Sequence, residues 1–287
     1  MNINWYPGHM KKTKESIEEK LKIVDIVIEL IDARIPISSK NPILDEVIQN
    51  KTRLVILTKA DLGDSEKNKE WEDYYKKKYK YSILVNTNDK KDVAKIFKIT
   101  DRIKADIFKN DEEKGIKKRP LRAMIVGIPN VGKSTLINAI SGRRGAKVGN
   151  RPGVTKSNQW IKTKSGLELL DTPGILWPKF EDKEIALNLA FIGSIKDEIM
   201  DRETLALRLL EKLKLSYPKF LVERYKLKDI EDLSGLEVME EIGRKRGCII
   251  GGGEIDYTRV SSLVLDEFRK GQIGRITLDD YKKEQEC

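Results

Sequence analysis

The segment GIPNVGKST (127–135) has the residue types and the spacing of a loop that binds the phosphates of a nucleotide. Gly127 and Gly132 permit a tight turn whose backbone N–H groups point towards phosphate oxygens at the start of a helix. Lys133 would place a positive charge beside the β- and γ-phosphates, and the Ser134 hydroxyl is a suitable ligand for Mg²⁺. Such a loop does not by itself specify the nucleotide or the reaction. Further contacts with the nucleotide are expected from Asn130, Val131 and Thr135.

Two other segments supply groups that respond to a γ-phosphate. In LELLDTPG (167–174), Asp171 ends a strand-like run and is placed to hold Mg²⁺ through a water molecule. The N–H group of Gly174 is placed to meet the γ-phosphate and to sense its loss. In GNRPGVTK, the Thr155 hydroxyl is a Mg²⁺ ligand that closes over the ion only while the γ-phosphate is present. Together with Lys133, Thr155 and Gly174 are predicted to be catalytic.

The segment TKAD (58–61) is a predicted site for the base, directly after the strand-like run RLVIL. Asp61 is placed to accept hydrogen bonds from the two N–H donors of a guanine edge, and Lys59 would lay its aliphatic stem over the base. Adenine has no such donor pair, so Asp61 would decide nucleotide identity. TKAD is a short motif and becomes decisive only beside the phosphate loop and DTPG. A weaker second base segment is NTN (86–88), with Asn86 and Thr87.

The composition describes a highly charged globular protein with an excess of basic residues. Charged residues make up 36% of the 287 residues and the formal net charge is +10, which favours an anionic partner such as nucleic acid or an acidic membrane surface. The two cysteines offer no disulfide framework, and neither a signal peptide nor a long apolar run is visible, so a cytoplasmic protein is expected. The basic clusters are Lys11, Lys12 and Lys14; Lys76, Lys77, Lys78 and Lys80; Lys117, Lys118 and Arg119; Arg143, Arg144 and Lys147; and Arg244, Lys245 and Arg246.

The order of apolar runs predicts an α/β domain with a mostly parallel, doubly wound sheet, followed by a small and mostly α-helical domain. Up to about residue 175, short Val/Ile/Leu-rich runs alternate with helical segments, as in sheets that are covered on both faces. After Pro178, apolar residues repeat every four positions. The predicted domains are therefore 1–178 and 179–287. The segment 244–256 is read as a connection between helices, with an anion-binding loop as the alternative.

As a set, the motifs resemble those of the Ras-like GTPases, but their order along the chain is rotated. TKAD and NTN precede the phosphate loop, whereas the base motif usually comes late. The segments WYPGHM (5–10), DARIP (32–36), GIPNVGKSTLIN, RPGVT and DTPGILWPKF together resemble the ribosome-biogenesis GTPase A family of circularly permuted GTPases. The likeness continues in RGCIIGGG (246–253). One departure is Thr58, where the family has asparagine; threonine can still hydrogen-bond to the phosphate loop, so guanine preference should persist.

The resemblance implies a GTP-hydrolysing assembly factor for the large (50S) ribosomal subunit, with hydrolysis that is slow alone and stimulated by the ribosomal particle. It implies GTP and GDP as ligands, Mg²⁺ as cofactor, and the rRNA and proteins of the subunit or its precursor as partners; a monomer is expected. The alternative is a GTPase that acts on another RNA or protein partner. A membrane-associated GTPase is disfavoured because no lipidation signal is visible. A small-molecule kinase would leave TKAD and Thr155 without a role.

The rotated motif order also predicts how the two domains are related. The original chain ends must be joined, and KNDEEKGIKKRP (109–120) is the predicted linker. The new junction falls just behind Gly174, the residue that is expected to sense the γ-phosphate. The domain 179–287 is therefore expected to be repositioned by the nucleotide state.

The group that orients the attacking water is not obvious from the motifs. In Ras-type enzymes a glutamine follows the glycine that corresponds to Gly174 of DTPG. Here that position is Ile175, whose side chain cannot hydrogen-bond to water. Three substitutes are visible: a K⁺ ion held by Asn130, a group of the ribosomal particle, or His9, the only histidine. A packing role for His9 stays open, as does a partner-binding N-terminus led by Trp5 and Tyr6. The Pro7-Gly8 pair in this segment is expected to form a turn ahead of a lysine-rich helix.

Overall fold

The structure is a computed structural model that describes residues 7–48, 51–113, 119–142, 159–163, 165–172, 182–195 and 201–281. For residues 7–13, 110–113 and 159 the description covers the backbone alone.

A six-stranded sheet forms the centre of the fold, with the strand order β3-β2-β1-β4-β6-β5. Neighbouring strands are parallel except for β5, which pairs antiparallel with β6. Every residue of β1 is buried, because this central strand has helices on both faces. The strands are β1 (Ile26–Asp32), β2 (Thr52–Thr58), β3 (Tyr81–Val85), β4 (Leu121–Gly127), β5 (Gln159–Lys162) and β6 (Leu167–Asp171).

Ten helices lie in the described part of the chain. They are α1 (Pro7–Leu21), α2 (Pro42–Val47), α3 (Ser65–Tyr79), α4 (Lys90–Glu113), α5 (Lys133–Ser141), α6 (Lys183–Phe191), α7 (Arg202–Ser216), α8 (Pro218–Tyr225), α9 (Gly235–Arg246) and α10 (Tyr257–Arg269). Capping residues explain where several helices begin. At the start of α3, for example, the Asp64 side chain accepts hydrogen bonds from two backbone N–H groups. At α9, Ser234 and Glu237 form a reciprocal capping box.

Alternate residues of β1 enter different hydrophobic clusters, because successive side chains of a strand point to opposite faces. Val27 packs with Ile17 of α1 and Leu44 of α2 in one cluster. Ile28 belongs to the largest cluster, which also contains residues of α4, α5 and the C-terminal helices, among them Ile96. The predicted doubly wound α/β architecture is therefore present.

Three local expectations can be compared directly with the structure. Pro7 and Gly8 were expected to form a turn ahead of a helix, but they are the first residues of α1, since proline is well accommodated in a first helical turn. Helix α4 continues to Glu113, so the first part of the predicted linker 109–120 is helical. The segment 244–256 begins in the last turn of α9 and then connects that helix to α10, as the favoured interpretation expected; the connection also contains a 3₁₀ turn, Gly251–Gly253.

The last described residues return to the loop that follows β1. The N–H of Leu278 donates to Arg34 O at 2.7 Å, and the buried Asp279 carboxylate accepts from the Ile37 and Ser38 N–H groups, each at 2.8 Å. Asp279 also accepts from Asn188 Nδ2 of α6 at 2.7 Å. This carboxylate thus joins three parts of the chain that are far apart in sequence. The division into domains 1–178 and 179–287 stays a prediction.

Replacing Asp279 with alanine should lower the free energy of unfolding. The substitution leaves the Ile37 and Ser38 N–H groups without their acceptor, and an unsatisfied buried donor costs about 1–3 kcal/mol. Urea unfolding should show a lower midpoint for Asp279→Ala than for Asp232→Ala, which removes an exposed carboxylate. Equal midpoints for the two variants would contradict the role given to Asp279.

Candidate nucleotide-binding site

The parallel strands bring the predicted motifs to one edge of the sheet. Thr58 ends β2, Gly127 ends β4 and Asp171 ends β6, while NTN follows the last residue of β3. In open α/β sheets, ligands bind outside the carboxyl ends of the strands. The structure therefore gathers the base segments and the phosphate loop where a nucleotide would bind.

The phosphate loop has the backbone that its glycines predict. A Cβ atom on Gly127 would lie 3.0 Å from Leu30 O and 3.0 Å from Val131 Cγ1, so a side chain there would push the loop away from β1. Gly132 has a φ of 98° directly before α5, a conformation that residues with a Cβ rarely adopt. Lys133 is the first residue of α5, so the N–H groups of this helix start face the loop.

Lys133 and Asp171 face each other as a buried cation and anion. The Nζ–Oδ1 distance is 3.2 Å, but the two atoms do not meet in hydrogen-bond geometry, and neither has another hydrogen-bond partner among the described residues. Burial lowers the pKa of Lys133, and the Asp171 charge opposes this shift. Buried polar atoms are costly to leave unpaired, so these two are suited to a phosphate oxygen and to the water shell of Mg²⁺. Ser134 is half-buried one residue further along α5.

Hydrogen bonds hold the base motif against the phosphate loop. Thr58 Oγ1 lies 2.6 Å from Val131 O, which is the contact with the loop expected of a threonine at this position. Lys59, whose φ is 54°, donates from Nζ to Asn130 O at 2.7 Å. Two segments about 70 residues apart in the chain therefore have a fixed separation.

The base segments leave one carboxylate available. Asp61 is half-buried, and its side chain makes no hydrogen bond or ion pair with any described residue. In NTN, the Asn86 Oδ1 accepts from the Asn88 N–H at 2.9 Å, which forms a turn after β3. Thr87 is half-buried in the same turn. Ala60 N donates to Val85 O, so the TKAD and NTN loops are neighbours.

The segment after α6 also contacts the phosphate loop, and the sequence motifs did not indicate this. Asn130 Nδ2 donates to Gly193 O, and Ser194 Oγ donates to Pro129 O at 2.7 Å. In the sequence, the local signal is Gly193 itself, a residue type that often ends a helix. The family motif DARIP likewise assigns no role to Asp32 and Arg34, but Asp32 contacts Lys59 and Arg34 contacts Asp32.

Some predicted site residues lie outside the described part of the structure. These are the His9 side chain, Thr155, Gly174 and Ile175, together with Trp5 and Tyr6. The structure brings together the other predicted groups, which are Thr58, Lys59, Asp61, Asn86, Thr87, Asn130, Val131, Gly132, Lys133, Ser134, Thr135 and Asp171.

The fold and the site define a P-loop GTPase, and comparisons with known proteins agree. Residues 122–231 match a protein-family model described as a 50S ribosome-binding GTPase. The ribosome biogenesis GTPase A of Priestia megaterium is 48% identical over 282 residues, which cover 98% of this chain and 97% of that protein.

Two solved structures of YlqF from Thermotoga maritima are also similar. The GNP-bound form has a TM-score of 0.63 and 26% sequence identity, and the match covers 93% of this chain and 97% of that one. The GDP-bound form has a TM-score of 0.64 and 26% identity, with 93% and 99% covered. The chain belongs to the ribosome biogenesis GTPase A family. The predictions of fold class, of family and of GTPase activity are therefore confirmed.

Replacing Asp61 with asparagine should shift the nucleotide preference from guanine towards xanthine nucleotides. The amide Nδ2 can donate where the carboxylate accepted, and xanthine offers a carbonyl oxygen in place of the exocyclic amine of guanine. GDP affinity should fall roughly 10–100-fold, the loss of a hydrogen bond to a charged group, while XDP affinity rises. Competition against a fluorescent nucleotide measures both.

The matched control is Asp73→Asn, which changes an exposed aspartate of α3. It should bind GDP like the wild type. Unchanged GDP preference in Asp61→Asn would reject the assignment of Asp61 to the base.

Proposed function

We propose that this GTPase is an assembly factor for the large (50S) ribosomal subunit, that it hydrolyses GTP slowly alone, and that the ribosomal particle stimulates it. The observation that supports guanine nucleotide use best is the direct attachment of the TKAD motif to the phosphate loop through Thr58 and Lys59. The partner is inferred from the family name and from the net charge of +10. The second candidate is a GTPase for another RNA or protein, since basic surfaces bind many anions.

In the proposed reaction, the residues of this chain bind and orient rather than form bonds. Lys133 would neutralise oxygens of the β- and γ-phosphates, and the Gly174 N–H would contact the γ-phosphate. The Ser134 and Thr155 hydroxyls would hold Mg²⁺ directly, and Asp171 would hold it through water. Mg²⁺, when bound, supplies positive charge against the charge that develops on the phosphate oxygens. Lys133 Nζ and Asp171 Oδ1, which lie close together without a hydrogen bond, fit that role.

Slow hydrolysis in the free protein is expected because an aliphatic residue, Ile175, replaces the glutamine that orients water. A group that positions water or charge in the transition state typically contributes about 10²–10³ to the rate. We propose that the partner restores this contribution, either with its own group or by ordering His9 over the γ-phosphate.

Basic side chains at the ends of two helices provide surfaces for RNA phosphates. Helix α3 ends in a run of lysines, and α9 ends in Arg244, Lys245 and Arg246. The exposed Ile249 and Ile250 come shortly after the second cluster, beyond Gly247 and the buried Cys248. Arg244 is paired with glutamates of its own helix, but it stays exposed. Contacts of this kind are electrostatic and should weaken with salt, and we place them on rRNA in the cytoplasm.

The GTP hydrolysis rate should rise when purified large subunits are added, and the rise should disappear as NaCl is increased at constant K⁺. An interface with roughly 6–10 phosphate contacts loses about 10³–10⁵ in affinity between about 50 and 200 mM salt. Small subunits at the same concentration are the control. Absence of stimulation at every salt concentration would contradict the ribosomal assignment, and stimulation by an unrelated RNA alone would support the second candidate.

The same assay decides the role of His9. His9→Ala should keep GTP affinity and subunit binding but lose about 10²–10³ of the stimulated rate if the imidazole orients water. Full stimulated turnover would instead assign the N-terminal segment to packing, or to partner binding through Trp5 and Tyr6.

We further propose that Asn130 holds a K⁺ ion beside the phosphates. Its Nδ2 donates to Gly193 O, and no hydrogen bond from a described residue reaches Oδ1, which is therefore available as a ligand. Replacing K⁺ by Na⁺ at constant ionic strength should slow hydrolysis in the wild type. It should have no effect in Asn130→Ala, and equal wild-type rates in the two salts would remove this proposal.

A further inference from the structure

A buried ion pair lies at the end of β1, next to the base motif. Arg34 donates from Nε to Asp32 Oδ1 at 2.9 Å and from NH2 to Oδ2 at 2.8 Å, so the pair is bidentate. The two side chains are 2% and 0% exposed. Burial alone would raise the pKa of Asp32, but the charges of Arg34 and Lys59 hold it well below its usual value. The carboxylate is therefore ionised at neutral pH.

Asp32 holds the lysine of the base motif in place. Lys59 Nζ lies 2.9 Å from Asp32 Oδ2 and 2.7 Å from Asn130 O. Burial lowers the pKa of Lys59, and the Asp32 charge opposes that shift and favours the charged form. A lysine has a flexible four-carbon stem, so anchoring its end reduces the number of conformations that the stem can adopt. The anchored stem is the part that would lie over the guanine ring.

The Arg34 guanidinium also contacts the end of α10. Its NH1 donates to Arg269 O at 3.3 Å, and its guanidinium carbon lies 5.7 Å from the centre of the Phe268 ring. The Arg269 guanidinium in turn donates to Ala190 O and Phe191 O at the end of α6, both at 3.0 Å. The ends of α6 and α10 are thus joined to each other and to the Asp32–Arg34 pair.

These contacts form a closed circuit that includes Asn130 of the phosphate loop. Arg34 contacts Arg269, and Arg269 contacts the end of α6. Just after α6, the Gly193 carbonyl accepts a hydrogen bond from Asn130 Nδ2. From Asn130 O the contacts return through Lys59 to Asp32. The phosphate loop is therefore connected to the C-terminal helices in two ways, directly through Asn130 and indirectly through Lys59 and the Asp32–Arg34 pair.

We propose that the Asp32–Arg34 pair is a positioning element that couples guanine-nucleotide binding to the end of α10. Its carboxylate sets the position of Lys59, and its guanidinium holds the Arg269 carbonyl. Because coupling between two sites is reciprocal, bound nucleotide should stabilise the end of α10, and loss of the pair should weaken nucleotide binding. The inference rests on the proposed use of guanine nucleotides, with the Lys59 stem over the base as the TKAD motif predicts.

The chain contains a second buried ion pair that serves as a control. Arg53 of β2 lies 3.0 Å from Glu29 of β1, and the two side chains are 6% and 1% exposed. Arg53 also pairs with Asp45, and neither Arg53 nor Glu29 contacts the nucleotide motifs. A purely structural role for Arg34 would make its removal resemble the removal of Arg53.

The test compares Arg34→Met with Arg53→Met by titration of a fluorescent GDP analogue. Both substitutions remove the arginine partner of a buried carboxylate and should lower the urea midpoint. Only Arg34→Met should weaken GDP binding, by roughly 5–150-fold, the usual range of coupling between sites. Wild-type affinity in Arg34→Met would overturn the proposal, whereas a wild type that does not bind GDP would overturn the proposed function instead.

Two further measurements separate coupling from stability. In a double-mutant cycle, Lys59→Met should cost much less GDP affinity in Arg34→Met than in the wild type, and additive losses would overturn the proposal. GDP should slow hydrogen exchange of the Lys270, Gly271 and Gln272 amides, which bond back to the end of α10, in the wild type and Arg53→Met only. Equal slowing in Arg34→Met would also overturn it.

If Arg34→Met does not fold, Arg34→Lys replaces it in each measurement. Lysine keeps a positive charge beside Asp32 but cannot donate two parallel hydrogen bonds to the carboxylate while also reaching Arg269 O. A smaller loss of GDP affinity in the same direction is expected. Wild-type affinity together with wild-type exchange at residues 270–272 would reject the coupling.

Discussion

The contact between the base motif and the phosphate loop is the interaction on which the rest of the site depends. Thr58 and Lys59 bind the Val131 and Asn130 carbonyls, so the distance from the base segment to the phosphate segment is set by hydrogen bonds. A nucleotide must span that distance. The parallel sheet makes the contact possible because β2 and β4, on either side of β1, end at the same edge. The helices, together with the contacts of Leu278 and Asp279 with the loop after β1, hold this edge of the sheet in place.

Electrostatics around this contact follow from burial. The Asp32 carboxylate accepts from Arg34 and from Lys59, and Lys59 also donates to Asn130 O, so these buried charges all have partners. Lys133 and Asp171 are buried as well, yet their hydrogen bonding is incomplete among the described residues. The first group resembles a structural ion pair. The second has buried polar atoms with incomplete hydrogen bonding, as is expected of a ligand site. Asp32 and Arg34 therefore support the predicted site, Lys133 and Asp171 are predicted to bind phosphate and Mg²⁺, and Lys59 belongs to both groups.

Much of the fold and of the binding motifs could be predicted from local patterns. The runs around 121–127 and 167–171 are strands because their residues are apolar enough for a sheet that is covered on both faces. Gly132 adopts the positive φ that its position before a helix suggested. The start of α1 was misjudged because Pro-Gly favours turns, although proline also suits a first helical turn. The hydrogen bond of Thr58 was predictable because its hydroxyl can replace an asparagine amide.

The sequence by itself determined the family, the phosphate loop and the base motif, because each of these depends on residue types within a few positions of one another. Only the tertiary structure decided that Asp32 holds Lys59, that Arg34 reaches Arg269, and that Asp279 closes over the loop after β1. Arg34 and Arg269 are 235 positions apart, and Asp279 and Ile37 are 242 apart. Such partners leave no local spacing to read, since they meet only after the sheet and the C-terminal helices have packed.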